Sequence, residues 1–137
     1  MFLKSRRRKF VEQRTALADE DFVREVGARP EVARFVTAAR RAVAEICHVP
    51  SGAIHPADAP ATLAGLATLD WDDLQVVMSV ESELGVSLGE ALDAPRFLPG
   101  RFFWRSWSAP ETFGEWVVQF AEWANKSLHA TAAAPGS

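Results

Sequence analysis

The stretch TLDWDDLQVVMSVESELG, residues 68–85, combines three aspartates with apolar side chains at helical spacing. At 100° per residue, it predicts a helix from Asp70 to Leu84 with a wide apolar arc and a narrow polar one. The apolar arc contains Trp71, Leu74, Val76, Val77, Met78, Val80 and Leu84, and the polar arc contains Asp72, Gln75, Ser79, Ser82 and Glu83. We therefore expect a largely buried helix that shows one thin face to water.

Three more segments have helical patterns. Residues 18–27 (ADEDFVREVG) predict a short helix that begins with an aspartate cap and ends at Gly27. Residues 30–49 (PEVARFVTAARRAVAEICHV) predict a long helix, and residues 111–128 (ETFGEWVVQFAEWANKSL) predict another.

The two long helices each have one apolar face. In the first, the apolar stripe is Val32, Phe35, Val36, Ala39, Val43 and Ile46, opposite Arg34, Arg40, Arg41 and Glu45. In the second, the apolar face is Phe113, Trp116, Val117, Phe120, Trp123 and Ala124.

Two irregular segments separate these helices. Prolines interrupt residues 50–68, which we expect to form a long loop anchored by Ile54, Leu63 and Leu66. Residues 86–111 are also irregular and contain the aromatic cluster Phe102–Trp107. No strand pattern is evident, so the sequence predicts an all-α fold.

The chain of 137 residues fits one domain and divides its charge unevenly. Residues 1–14 hold six basic side chains and one acidic, whereas no Lys or Arg lies between Arg41 and Arg96, where nine acidic residues fall. This acidic segment would repel nucleic acid and attract basic protein surfaces. We predict a basic N-terminal arm (1–17), a helical domain (18–128) and a disordered tail (129–137).

Targeting signals are not evident in the sequence. It contains no run of about 18 apolar residues, and the basic residues 4–9 occupy the place of a secretory apolar stretch. The single cysteine, Cys47, excludes an internal disulfide. We expect a cytoplasmic protein.

This order of features resembles the acyl carrier protein family, small helical bundles that tether acyl chains on a phosphopantetheine arm. The resemblance covers roughly residues 31–127. It rests on CHVPSGAIHP (47–56), VVMSVESELGVSL (76–88) and ETFGEWVVQF (111–120), which are similar to the end of the family's first helix, its second helix and its last helix. It implies an acyl-carrier-protein-like four-helix bundle with an extra N-terminal helix and an aromatic insertion before the last helix.

The resemblance also identifies the position where a carrier holds its modifiable serine. With the register fixed on residues 81–85, that position is Asp70, whose carboxylate lacks the hydroxyl oxygen that accepts phosphopantetheine. The resemblance therefore implies a member without this cofactor. A second register places Asp73 there, with the same consequence. A third places Thr68 there, and a working carrier with this atypical attachment is the alternative.

In the family, acids on this helix dock onto basic surfaces of partner enzymes. Asp72 and Glu81 match family acids, whereas Gln75 and Ser82 are neutral where acids are usual. The resemblance thus implies a non-enzymatic module that docks onto a basic partner surface, such as that of a fatty-acid or polyketide type enzyme. The expected docking residues are Asp70, Asp72, Asp73 and Glu81.

Simpler roles explain the same aspartates. Asp70 is a good helix cap. Asp72 and Asp73 would then lie in the first turn, where negative charge interacts favourably with the helix dipole. A metal site on this trio lacks further ligands, so we expect no metal. Cys47 at the end of an apolar stripe is typical of a buried small residue, and no catalytic pair is evident.

Two other features have open interpretations. The aromatic cluster Phe102–Trp107, with Arg101 and Arg105, could stack on single-stranded nucleic acid, cover the core or form a partner patch. The acidic middle of the chain disfavours nucleic acid. The basic residues Lys4, Arg6, Arg7, Arg8 and Lys9 could make a weak contact with an anionic membrane or bind RNA, so a membrane- or nucleic-acid-associated binding protein is a further alternative.

Overall fold

The computed structural model describes residues 2–67, 73–89, 94–97 and 110–133, and within these ranges every regular element is a helix. The α-helices are α1 (Phe2–Glu12), α2 (Asp19–Val26), α3 (Ala33–Cys47), α4 (Pro60–Ala64), α5 (Asp73–Leu84) and α6 (Phe113–Ala133). Two 3₁₀ turns, Pro30–Val32 and Ser51–Ala53, flank α3. The all-α prediction is confirmed for the part of the chain that is described.

Helix α3 organises the core, because it packs against α2, α5, α6 and both 3₁₀ turns. The predicted apolar stripe is buried along its whole length, at Val32, Phe35, Val36, Ala39, Val43 and Ile46. Burying each larger side chain of this kind contributes about 1.5–3 kcal/mol. The helix ends at His48, which adopts a left-handed conformation with φ 56° while its N–H donates to the Glu45 carbonyl.

Arg40 corrects the predicted polar face of α3, because its side chain is fully buried. Its Nη2 donates to the carbonyl oxygens of Leu17 and Ile54, at 2.8 Å each, and its Nη1 donates to Asp19 Oδ1 at 3.0 Å. The guanidinium carbon also lies 4.3 Å from the centre of the Phe22 ring. Burial lowers the pKa of the Arg40 guanidinium, and the hydrogen bond to Asp19 opposes that shift. Arg40 thus ties α3 to α2 and to the loop after α3.

The start of α2 also differs from the prediction. Its N-cap is Ala18, which offers no side-chain hydrogen bond, and Asp19 lies in the first turn. The Asp19 carboxylate instead binds Arg40 and Arg41, each at 3.0 Å. The predicted end is confirmed, since Gly27 follows α2 with φ 68°, where a glycine avoids the strain of a side chain.

The predicted arm contains helix α1, which packs on the bundle through Phe10. The guanidinium of Arg14 lies 3.8 Å from the Phe10 ring centre, and its Nη1 donates to Asp58 Oδ2 at 2.6 Å. At the other end of the chain, α6 continues to Ala133 and so includes residues 129–133, which the sequence analysis assigned to a disordered tail.

The loop after α3 contains the 3₁₀ turn Ser51–Ala53 and the short helix α4, neither of which was predicted. The predicted anchors Ile54, Leu63 and Leu66 are buried, which confirms their role. The loop also holds the start of α6, because the Asp58 carbonyl accepts a hydrogen bond from the Phe113 N–H at 2.7 Å.

Aromatic side chains fill the core beneath α6. Trp116 stacks on Phe113 with ring centres 5.6 Å apart and meets Phe97 edge-on at 5.0 Å. Its indole N–H donates to the Pro95 carbonyl at 3.1 Å, which satisfies the polar atom of a buried ring. The predicted apolar face of α6 is buried except at Trp123, which is half-buried. The aromatic cluster Phe102–Trp107 lies outside the described residues.

Candidate functional site

The residues considered for phosphopantetheine attachment and for a metal site fall mainly outside the structure that is described. Thr68, Asp70 and Asp72 lie in the gap before α5, so neither the cap nor the attachment register is placed. Asp73, which opens α5, is described. Its Oδ1 accepts a hydrogen bond from the backbone N–H of Phe97 at 3.3 Å. Asp73 therefore also links α5 to the segment that leads toward α6.

Glu81, another predicted docking residue, has a similar link within the chain. Its Oε2 accepts a hydrogen bond from the backbone N–H of Leu88 at 2.8 Å. Leu88 is buried, and this bond holds the chain in place just after α5 ends. A carboxylate engaged in this way retains its charge for a partner but has fewer free positions for direct hydrogen bonds.

The outer face of α5 is more apolar than the sequence predicted. Val76, Val77 and Val80 are buried, but Leu74 is 48% exposed and Met78 is 58% exposed. The expected wide buried arc is thus wrong at these two positions. Among the described residues, α5 packs mainly against α3. Because a single neighbouring helix covers only one side of α5, the side chains on its other side stay exposed.

An open groove lies between α3 and α5. It has a volume of about 680 Å³ and is lined by Glu45, Gln75, Met78, Ser79, Ser82 and Glu83. We call this groove, together with the exposed side chain of Leu74, the α5 surface. It combines the apolar contact area of Leu74 and Met78 with hydroxyl, amide and carboxylate groups.

The two glutamates of the α5 surface differ in their surroundings. Glu83 Oε1 accepts a hydrogen bond from Arg41 Nη1 at 2.9 Å, and the hydrogen bonds to Glu83 and Asp19 raise the pKa of Arg41. Glu45 is exposed and forms no ion pair with any described residue. Glu45 is therefore the acid on this surface most available to a cation, although sequence reasoning did not select it.

Sequence reasoning also missed Leu74 and Met78 as surface residues, and a signal for them was present. At 100° per residue, Met78 lies 40° from Ser82 and Leu74 lies 80° from it, at the edge of the apolar arc. The whole apolar arc was predicted to be buried, although the residues at its edge lie next to the polar residues of the helix.

The basic residues of α1 have two different roles. Arg6 Nη1 donates to the Gly65 carbonyl at 3.2 Å, and Arg7 Nε donates to the Leu66 carbonyl at 2.8 Å. Both bonds dock α1 on the turn after α4. The remaining predicted membrane-contact residues, Lys4, Arg8 and Lys9, are exposed. Arg6 is exposed as well, so only Arg7 of the five predicted membrane-contact residues is half-buried.

The Cys47 thiol and the His55 imidazole both contact backbone carbonyl groups of the bundle. The Cys47 thiol is buried and donates to the Leu63 carbonyl, and burial raises the pKa of this thiol to about 12. His55 Nε2 lies 2.8 Å from the Thr15 carbonyl. Across residues 2–67, 73–89, 94–97 and 110–133, no three His, Cys, Asp or Glu side chains gather as they would around a metal ion.

A membrane-crossing helix is also not found, since no helix in the described ranges is both long and apolar enough. Comparisons of the chain with protein-family models, with curated protein sequences and with solved structures find no match. The resemblance to acyl carrier proteins thus depends on the chain's own motifs and on the order of its helices.

Proposed function

We propose that this protein is a non-enzymatic, acyl-carrier-like module that carries no phosphopantetheine and docks onto a basic partner protein through the α5 surface. The order of its helices supports this proposal. A long helix, an interrupted loop, a second helix and a last helix occur in α3, residues 48–67, α5 and α6, where the resemblance predicts them.

The exposure of Leu74 and Met78 is the observation that carries the docking role. They lie four residues apart and so form one apolar strip along α5. Methionine is enriched at protein interfaces and adapts its shape to different partners. Exposing two large apolar side chains beside a groove has no stabilising effect on the chain alone, whereas a partner would gain from covering them.

Charge supports a basic partner. Glu45 and Glu83 border the strip, and the segment between Arg41 and Arg96 contains no lysine or arginine. Such a field accelerates the approach of a positive surface, and salt weakens it. Arg41 offsets part of this charge through its bond to Glu83, so Glu45 contributes the larger share of the attraction.

The carrier half of the proposal has a direct test. The full chain is incubated with coenzyme A and a broad-specificity phosphopantetheinyl transferase, and its intact mass is measured. We expect no adduct, because a carboxylate at position 70 accepts no phosphopantetheine. The matched variant Asp70→Ser should gain one adduct. A stoichiometric adduct on the parent chain, mapped to Thr68, Ser79 or Ser82, would show that it is a working carrier.

The docking half is tested with a defined probe, a synthetic helical peptide rich in lysine with one leucine face. Amide chemical shifts of the labelled full chain are followed while the peptide is added. We expect the chemical-shift changes to centre on residues 74–83. The variant Met78→Ser should weaken peptide binding about tenfold. Lys126→Ser, on the exposed part of α6, is the control. Peptide binding that is insensitive to Met78→Ser would contradict the proposal.

A further inference from the structure

Two charged residues of α3, Arg41 and Glu45, lie one helical turn apart beside the α5 surface, and both are exposed. Glu45 lines the groove together with Met78. The guanidinium of Arg41 is bonded by acids of two other helices. Its Nη1 donates to Glu83 Oε1 at 2.9 Å, and its Nη2 donates to Asp19 Oδ2 at 3.0 Å. Arg41 therefore connects the α5 surface to the start of α2.

This bridge makes the two glutamates of the groove electrostatically unequal. Two acids, Asp19 and Glu83, are bonded within one group of charges, and two arginines, Arg40 and Arg41, balance them. Glu45 forms no ion pair with any described residue. The groove consequently has a compensated acid on α5 and an uncompensated acid on α3.

The difference limits where a partner can place positive charge. A cation that approaches Glu83 meets a carboxylate that already accepts from Arg41, and the arginine repels it. A cation that approaches Glu45 meets no competing donor among the described residues. Because Glu45 and Met78 line the same groove, one segment of a partner reaches both with one cation and one apolar side chain.

We infer that the partner of the α5 surface presents a single lysine or arginine to Glu45 beside an apolar side chain that covers Met78, and that Arg41 keeps Glu83 from binding a second cation. This inference rests on the proposed docking role of the α5 surface and specifies the chemistry of its partner. Arg41 is here a positioning residue, because its effect on the partner acts through Glu83.

Two helical peptides with the same leucine face test the inference on the full chain. One is the lysine-rich peptide of the docking test, and the other keeps a single lysine beside the leucine face, with glutamine at the remaining lysine positions. Fluorescence anisotropy gives both dissociation constants at about 0.15 M salt, where screening limits charge interactions to about 8 Å. The parent chain should bind the two peptides within about threefold of each other, and Glu45→Gln should weaken each about threefold.

Removing Arg41 should release the second acid. The variant Arg41→Gln should bind the lysine-rich peptide about fivefold more tightly than the parent chain, and the one-lysine peptide within about twofold of it. Arg34→Gln is the matched control, because it removes an exposed arginine of the same helix that has no ion pair in the described structure. It should bind both peptides within about twofold of the parent chain.

A further variant separates the freed charge from a loosened helix. Glu83→Gln breaks the same bridge between α3 and α5 but frees no acid on α5, so it should not strengthen either peptide. The double variant Arg41→Gln with Glu83→Gln should return the lysine-rich peptide to within about twofold of the parent chain.

Each contrary outcome has a distinct meaning. Equal gains in Arg41→Gln and Arg34→Gln overturn the inference, because net charge alone then explains them. A gain in Glu83→Gln also overturns it, and so does a parent chain that prefers the lysine-rich peptide by about tenfold or more. If Met78→Ser weakens both peptides while Arg41→Gln has no effect, the docking role stands and only this inference fails. If neither peptide binds the parent chain, the proposed function fails with it.

Discussion

The sequence predicted a buried apolar face for both α3 and α5, and the same wheel predicted burial well in one and poorly in the other. Every predicted core residue of α3 is buried, and its one error is Arg40, a charged residue in the core. In α5 the errors are Leu74 and Met78, two apolar residues at the surface. Among the residues that the structure describes, helix α3 has neighbours on several sides, whereas α5 packs mainly against α3. A helical wheel carries no information about neighbouring elements, yet the number of neighbours decides how wide the buried face of a helix becomes.

The largest expected effect concerns the buried charge of α3. We expect Arg40→Ala to lower the free energy of unfolding by about 3–5 kcal/mol, because it leaves a cavity and removes the donors for the Leu17 and Ile54 carbonyls and for Asp19. Urea unfolding followed by tryptophan fluorescence measures this loss. Arg34→Ala on the exposed side of α3 is the control and should change stability by no more than about 1 kcal/mol, since within the described residues its guanidinium lies over the Phe35 ring and forms no ion pair.

A second pair of variants tests the two sides of α5 directly. Val77→Ala should cost about 2 kcal/mol, because Val77 is buried against the core. Met78→Ala, at the adjacent position, should change stability by less than about 0.5 kcal/mol, because the side chain is more than half exposed. Equal losses in thermal or urea unfolding would mean that Met78 belongs to the core and that the α5 surface is not available to a partner.

Much of the fold was predictable from local pattern. The stripe of α3, the loop anchors and the end of α2 at Gly27 follow from periodicity and from the preference of glycine for a left-handed conformation. Helix α1 was missed because its run of arginines and lysines has few apolar positions, and its docking depends on Phe10 and on carbonyl oxygens far along the chain. Arg40 was misplaced for the same reason, since its acceptors lie outside α3.

The candidate site was predictable only as a helix. The sequence selected the aspartates and Glu81, while the structure adds intramolecular hydrogen bonds for Asp73 and Glu81 and brings Glu45 of α3 beside Met78. Residues from two helices form this groove, so the sequence pattern of either helix alone could not predict it. Thr68, Asp70 and Asp72 lie outside the described residues, and their roles remain predictions.

A third prediction concerns the buried end of α3 and has a defined pH range. Burial raises the pKa of the Cys47 thiol from 9.0 to about 12, so the unfolded chain loses this proton first as pH rises. The free energy of unfolding should therefore fall between pH 9 and about 12, by up to about 1.4 kcal/mol per pH unit. The variant Cys47→Ala should lack this part of the slope. If both proteins show the same slope in urea titrations, Cys47 is accessible in the folded state.

The smallest expected effect separates the two kinds of acid around α5. Glu81→Ala should lower stability by about 1 kcal/mol, because the Leu88 N–H then loses its acceptor just beyond the helix. Glu45→Ala should change stability by less than about 0.5 kcal/mol, since Glu45 is exposed and has no ion pair in the described structure. Binding of the basic peptide should show the reverse order, with Glu45→Ala causing the greater loss. If Glu81→Ala weakened binding more while leaving urea unfolding unchanged, the acid that the sequence selected would be the docking residue, and the Leu88 bond would have no structural importance.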